Sequence, residues 1–213
     1  MIRVLLPLAA GLMLAFAGLV GLIHTQPYDD RALREFVTPP EGCAMPCFMG
    51  IQPGITTVQD AVDKLWAHDW VDQVRETTGT SGRRTVVWTW SGTQPALVKS
   101  DVRGFFIAYD NIVRDVRVPT RVPLHQVMLL YGPADWGYLF VGFAGSQETL
   151  FYQLVFQDRR VSVHFRMEQF DLNVCQQARW SVDAELSFVA SPPRRADRGY
   201  YDPCFRTTLH FSL

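Results

Sequence analysis

Residues 160–167 read Arg-Val-Ser-Val-His-Phe-Arg-Met. Apolar side chains occupy every second position of this stretch, and polar or charged side chains occupy the positions between them. Because successive side chains in a strand point to opposite faces of a sheet, this alternation predicts a β-strand with one face in the core and the other in solvent. The polar face, which carries His164, is expected to lie outward.

Further strands are predicted on both sides of this stretch. Val, Ile, Thr and aromatic residues, which favour strands, are frequent there. The predicted strands are residues 84–90, 104–118, 138–143, 149–157, 180–189 and 206–211.

Two short helices are predicted, each followed by strands. Apolar residues recur with helical spacing over residues 58–66, and Thr57 precedes them as a candidate N-cap. Residues 124–131 carry a second apolar face, which the Gly132-Pro133 pair ends. This repeated order predicts an α+β domain with a duplicated helix/antiparallel-sheet unit and helices on one face. The approximate units are residues 51–118 and 119–167, with C-terminal strands in 168–213.

The N-terminal segment suggests a membrane anchor. Residues 4–23 contain no charged side chain, and a helix of about 20 residues spans roughly 30 Å of hydrocarbon. Arg3 precedes the segment and Asp29 follows it, which predicts the N-terminus inside and the rest outside the cytoplasm. We therefore predict a single-pass cell-membrane protein: anchor or signal segment 1–24, stalk 25–45 and extracytoplasmic domain 46–213. The alternative is a signal cleaved near residues 15–17, which would give a secreted protein.

Four cysteines, an even number, are expected to pair in an oxidising compartment. We favour the pairs Cys43 with Cys47 and Cys175 with Cys204, because the first can close a short loop and the second would tie the C-terminal segment to the body. The other pairings stay open. A zinc site or redox motif at Cys43 and Cys47 is less favoured, because zinc needs a second ligand pair and a thioredoxin-like motif has two intervening residues.

The stretch from Tyr131-Gly132-Pro133 to the hairpin at residues 157–161 resembles the small helix-and-sheet repeats of two groups. These are the outer-membrane-assembly lipoproteins of the SmpA/OmlA kind and the beta-lactamase inhibitor protein, which has two such units in tandem. The start at residues 54–62, Gly-Ile-Thr-Thr-Val-Gln-Asp-Ala-Val, is similar to theirs. The resemblance implies a tandem fold over residues 51–167 and carries no binding residue across. Residues 46–51 are also similar to the start of uncharacterised exported bacterial proteins.

Sequence patterns of catalysis are absent. The chain has no Gly-x-Ser-x-Gly, Gly-rich phosphate loop or His-Glu-x-x-His. His68 and Asp69 follow the first predicted helix, but adjacent helical residues point apart, which favours a solvated helix end. No histidine has partners at metal-ligand spacing. We therefore predict neither an enzyme nor a metal or cofactor site. The balance of 20 basic and 21 acidic residues predicts no nucleic-acid partner.

Aromatic residues are abundant, with six Trp and fourteen Phe. Most are expected to fill the core, but some in the predicted sheet could form an exposed patch that binds a protein. The candidates are Trp88, Trp90, Phe105 and Tyr109. The predicted function is a membrane-anchored extracytoplasmic module that binds or supports another envelope protein. The alternative is a small-ligand or lipid-sensing ectodomain, which would need an apolar cavity.

Overall fold

A computed structural model describes residues 2–24, 30–79, 82–144, 147–156, 158, 160–167 and 183–191. The chain divides into two compact units, Met1–Ala32 and Leu33–Leu213. Several predicted features lie outside the described residues: Cys175, Cys204 and the strand at 206–211. The predicted boundaries of anchor, stalk and domain stay predictions.

The first unit contains helix α1 (Ile2–His24). Its described side chains, those of residues 11–22, are exposed. Within the described residues, no helix is both long and apolar enough to cross a membrane. The predicted transmembrane anchor, and the single-pass localisation that depended on it, are therefore wrong.

Two helices precede the strands of the second unit. Helix α2 (Arg31–Val37) lies in the stretch predicted to be a stalk and buries Leu33, Phe36 and Val37. Helix α3 (Val58–Trp66) confirms the first predicted helix. The Thr57 hydroxyl oxygen accepts a hydrogen bond from the Asp60 backbone N–H at 3.2 Å, as an N-cap does.

Within the described residues, eight strands form one sheet. They are β1 (Val71–Thr78), β2 (Arg84–Trp90), β3 (Gly104–Tyr109), β4 (Ile112–Pro123), β5 (Trp136–Ala144), β6 (Gln147–Phe156), β7 (Val161–Met167) and β8 (Asp183–Val189). The second predicted helix is confirmed as α4 (Leu124–Tyr131), between β4 and β5. The strand order is β1-β2-β3-β4-β8-β7-β6-β5, and all neighbours are antiparallel.

The sheet is continuous through its centre, where β4 pairs with β8 from Asp115↔Val189 to Pro123↔Asp183. Strands that the sequence analysis assigned to separate units therefore share backbone hydrogen bonds. The predicted fold class, a transmembrane helix followed by a duplicated helix/antiparallel-sheet domain, is wrong: the described part of the chain forms one eight-stranded antiparallel sheet with few helices. The error arose because local patterns do not report pairing between distant strands.

The core joins the helices to the sheet. One cluster of buried side chains runs from Phe36 of α2 and Leu65 of α3, through Phe106 and Phe188 of the sheet, to Leu124 of α4. Over residues 161–165 of β7 both faces are buried, including Ser162 and His164 on the face predicted to be solvated. The outward prediction for His164 is wrong, because the centre of the sheet is covered on both sides.

Candidate functional site

The four residues of the predicted aromatic patch do not share an exposed surface. Trp88 and Trp90 are buried, with 1% and 8% of their surface exposed. Trp88 pairs with Gly104 across β2 and β3, so the next residue, Phe105, points to the opposite face. Phe105 is half-buried under the Arg117 guanidinium, 5.4 Å from the ring centroid, whereas Tyr109 is 43% exposed. The two tryptophans are core residues.

A disulfide joins Cys43 and Cys47, with an S–S distance of 2.01 Å. Cys47 is buried. The adjacent Phe48 exchanges two backbone hydrogen bonds with Ile51, at 3.0 and 2.9 Å. We call residues 43–50 the disulfide loop. The cross-link and this pair of hydrogen bonds together hold the loop against the core.

A cleft opens between α2, the disulfide loop and the α3–β1 connection. Its volume is about 390 Å³, within the range of roughly 300–1,000 Å³ that is typical of small-molecule pockets. We call it the aromatic cleft. It is lined by Glu35, Phe36, Thr38, Pro40, Cys47, Phe48, Met49, Gly50, His68 and Trp70.

Packed aromatic rings form its wall. Phe36 meets Phe48 edge-on with ring centroids 5.3 Å apart, and it stacks on Trp70 at 6.2 Å. Phe48 stacks in turn on Phe188 of β8 at 5.3 Å. Contacts of this geometry stabilise aromatic pairs beyond their buried area. Because the rings are tied through Phe188 to the sheet, the wall is formed by the fold itself and does not need a ligand to assemble it.

His68 lies against this wall, with its ring centroid 4.7 Å from that of Trp70. Its Nδ1 accepts the Trp70 backbone N–H at 3.2 Å, so the neutral imidazole carries its proton on Nε2. Burial lowers the pKa of His68 below 6.5, and the Asp69 carboxylate partly opposes this. The ring is therefore neutral at pH 7. It is half-buried, not the solvated helix end that was predicted.

This pKa shift predicts a pH dependence of stability. Between pH 6.5 and the lower pKa of the folded state, the unfolded chain binds the His68 proton and the folded chain does not. The free energy of unfolding therefore falls as the pH drops through this window. Denaturant titrations from about pH 7.5 to 5 are expected to show a smaller fall for His68→Asn, whose side-chain oxygen can still accept the Trp70 N–H. Asp69→Asn should enlarge the fall. Identical pH profiles for the parent and His68→Asn would contradict the prediction.

A second polar cluster lies on β4 and β8. Ser187 donates from Oγ to Asp115 Oδ1 at 2.5 Å, and Arg117 donates from Nε to Asp115 Oδ2 at 2.8 Å. Arg117 Nη1 also lies 3.6 Å from Glu185 Oε1. Burial raises the pKa of the Glu185 carboxyl, an effect that the Arg117 guanidinium opposes. Ser187 has no exposed surface, so its hydroxyl is not accessible to a substrate. We therefore interpret this cluster as a structural network.

The aromatic cleft is thus the strongest candidate for a functional site. In the part of the chain that the structure describes, no group of three or more His, Cys, Asp or Glu could hold a metal ion. The chain matches no protein-family model, no curated protein and no solved structure.

Sequence reasoning missed this site because its residues come from three separated segments. One signal was available: Leu33, Phe36 and Val37 have the i, i+3, i+4 spacing of a helix face. The charged residues around these three positions favoured the prediction of a polar stalk over that of a helix. Nothing local connects α2 to Trp70, because their contact depends on the tertiary fold.

Proposed function

We propose that this protein is a small-ligand-binding module and that the aromatic cleft is its binding site. The observation that carries the proposal is an open cleft of about 390 Å³, which is lined by the half-buried Trp70 and backed by Phe36 and Phe48, whose rings are 6% and 3% exposed. Small-molecule sites are typically concave, largely apolar and preformed, with a few polar groups that orient the ligand. Glu35, Thr38 and His68 supply such groups here.

The position of Trp70 provides a direct test. Trp70 lines the cleft, whereas Trp66, four positions earlier, is 56% exposed and lies outside the lining. A fragment library is screened against the full chain by ligand-observed NMR. Trp70→Leu is expected to weaken the hits at least about tenfold, because it removes a large aromatic contact surface. Trp66→Leu is the matched control and should leave their affinities unchanged.

Both variants are first checked for folding by circular dichroism and thermal unfolding. Hits that bind the parent and Trp70→Leu equally well would place the ligand elsewhere and overturn the proposal. A screen without hits would also count against it.

The predicted protein-binding or structural role is a second proposal. Strand β1, which lies at one edge of the sheet among the described strands, favours it, because a strand edge can add a strand from a partner. Against it, β1 carries Asp72, Arg75 and Glu76, and charged side chains are a common protection of edges against pairing. The buried Trp88 and Trp90 would take no direct part. The aromatic cleft therefore supports ligand binding more strongly.

A further inference from the structure

A small notch lies on one face of strands β1 and β2. Trp88 points into the core, so its neighbours Val87 and Thr89 point to the opposite face of the sheet. Across the pair of strands, Arg75 lies opposite Val87. Gln73 likewise lies opposite Thr89. Side chains of both strands therefore meet on the face that is turned away from the core.

The segment before β3 supplies the other side of the notch. Gly104 pairs with Trp88, so Arg103, one position earlier, lies beside Thr89. The volume of the notch is about 50 Å³, compared with roughly 30 Å³ for each water in the liquid. It therefore has room for one small chemical group. It is lined by Gln73, Arg75, Val87, Trp88, Thr89 and Arg103.

Two guanidinium groups without an ion-pair partner line this notch. Arg84 of β2 and Arg117 of β4 each form an ion pair with a carboxylate. Among the residues that the structure describes, Arg75 and Arg103 form no such pair. Both side chains are exposed, and guanidinium groups stay charged at physiological pH. The notch thus brings two cations together at one depression.

One carboxylate lies at the margin of the notch. Asp72 Oδ2 accepts a hydrogen bond from Thr89 Oγ1 at 3.4 Å, which is long for a bond between two oxygens. Asp72 is exposed and is not part of the lining. Two cations and one anion leave an excess of positive charge, and a concave surface with an excess of one sign concentrates ions of the other sign.

From these two guanidinium groups in one notch, we propose that the protein binds a small oxyanion, a phosphate or carboxylate group, between Arg75 and Arg103. The planar fork of a guanidinium matches the oxygens of both groups, and the Gln73 amide adds N–H donors. The notch shares no lining residue with the aromatic cleft. This site is therefore additional to the proposed function and does not depend on it.

Titrations of the full chain with inorganic phosphate and with acetate test the proposal. The ionic strength is held at about 0.1 M, where exposed charges more than about 10 Å apart are largely screened, and sodium chloride at equal ionic strength is the blank. Arginine Nε–H signals and the backbone amides of Val87 and Thr89 report binding in two-dimensional NMR. We expect saturable shifts. Arg75→Gln and Arg103→Gln should each weaken binding about threefold, and Asp72→Asn should tighten it about twofold.

Arg83→Gln is the matched control. It removes the same charge from an exposed side chain that lies outside the lining, four positions before Val87, which is about 13 Å of strand. It should leave the affinity unchanged. Tighter binding of phosphate than of acetate would assign a phosphate group, and the reverse a carboxylate. Shifts that chloride reproduces, or equal losses for Arg83→Gln and Arg75→Gln, would overturn the proposal, whereas fragment binding in the aromatic cleft would stand.

Discussion

Replacing Trp88 with Ala is expected to lower the free energy of unfolding by about 3–5 kcal/mol, the usual cost of truncating a fully buried large aromatic side chain. Trp88 is 1% exposed and belongs to the main core cluster, where it meets Trp90 edge-on at 5.7 Å. Its removal would leave a cavity bounded by rigid strands, which cannot collapse to fill it. Equilibrium denaturation in urea measures the change.

Trp66→Ala is the control for this prediction. Trp66 has the same side chain but is 56% exposed at the end of a helix, where Ala is a favourable residue. Its replacement should change stability by less than about 0.5 kcal/mol. Similar losses for the two variants would mean that Trp88 is not the core residue described here.

Gly104→Ala is expected to destabilise the protein by about 3 kcal/mol, at the upper end of the usual cost of overpacking. A Cβ at Gly104 would lie 2.3 Å from both Cε2 and Cζ2 of Trp88, far inside van der Waals contact. The indole lies over the glycine because the two residues pair across β2 and β3. The ring is rigid and buried, so either it or the strand must shift. Chemical denaturation again gives the change in stability.

A double-mutant cycle separates this clash from a general intolerance of Ala in β3. In the Trp88→Ala background the ring is absent, so adding Gly104→Ala should cost little, and the two changes should be strongly non-additive. Additive losses would contradict the prediction, because they would mean that the glycine is needed for a reason other than the indole above it.

These two residues illustrate what the sequence did and did not reveal. The strand over residues 84–90 was predicted from its Val, Thr and Trp content, and β2 has those bounds. That Trp88 and Trp90 face the core was not predictable, because a strand pattern defines two faces without saying which one is covered. The Trp88–Gly104 contact adds a partner on another strand, which no local pattern reports.

Two elements escaped prediction for physical reasons. Strand β1 is mostly exposed and has one neighbour among the described strands. It therefore needs no apolar alternation, and its sequence resembles a polar loop. Helix α2 has seven residues, too few for a sustained amphipathic pattern. Charged residues on either side of Phe36 made this stretch resemble a polar linker, although Phe36 is one of the residues that line the cleft. Ser162 and His164, at the centre of the sheet, were predicted to be solvated because they are polar, but both are buried.

The sequence by itself determined the local elements: the capped helix α3, helix α4 before its Gly-Pro stop, and most strands of the sheet. These follow from hydrophobic period, turn residues and capping, which act over a few neighbouring residues. Only the tertiary structure decided that β4 and β8 join the strands into one sheet, and that α2, the disulfide loop and Trp70 enclose a cleft. Those features depend on contacts between segments that are distant in the sequence. Such contacts form only when the whole domain folds, and they produce no periodic pattern in the sequence.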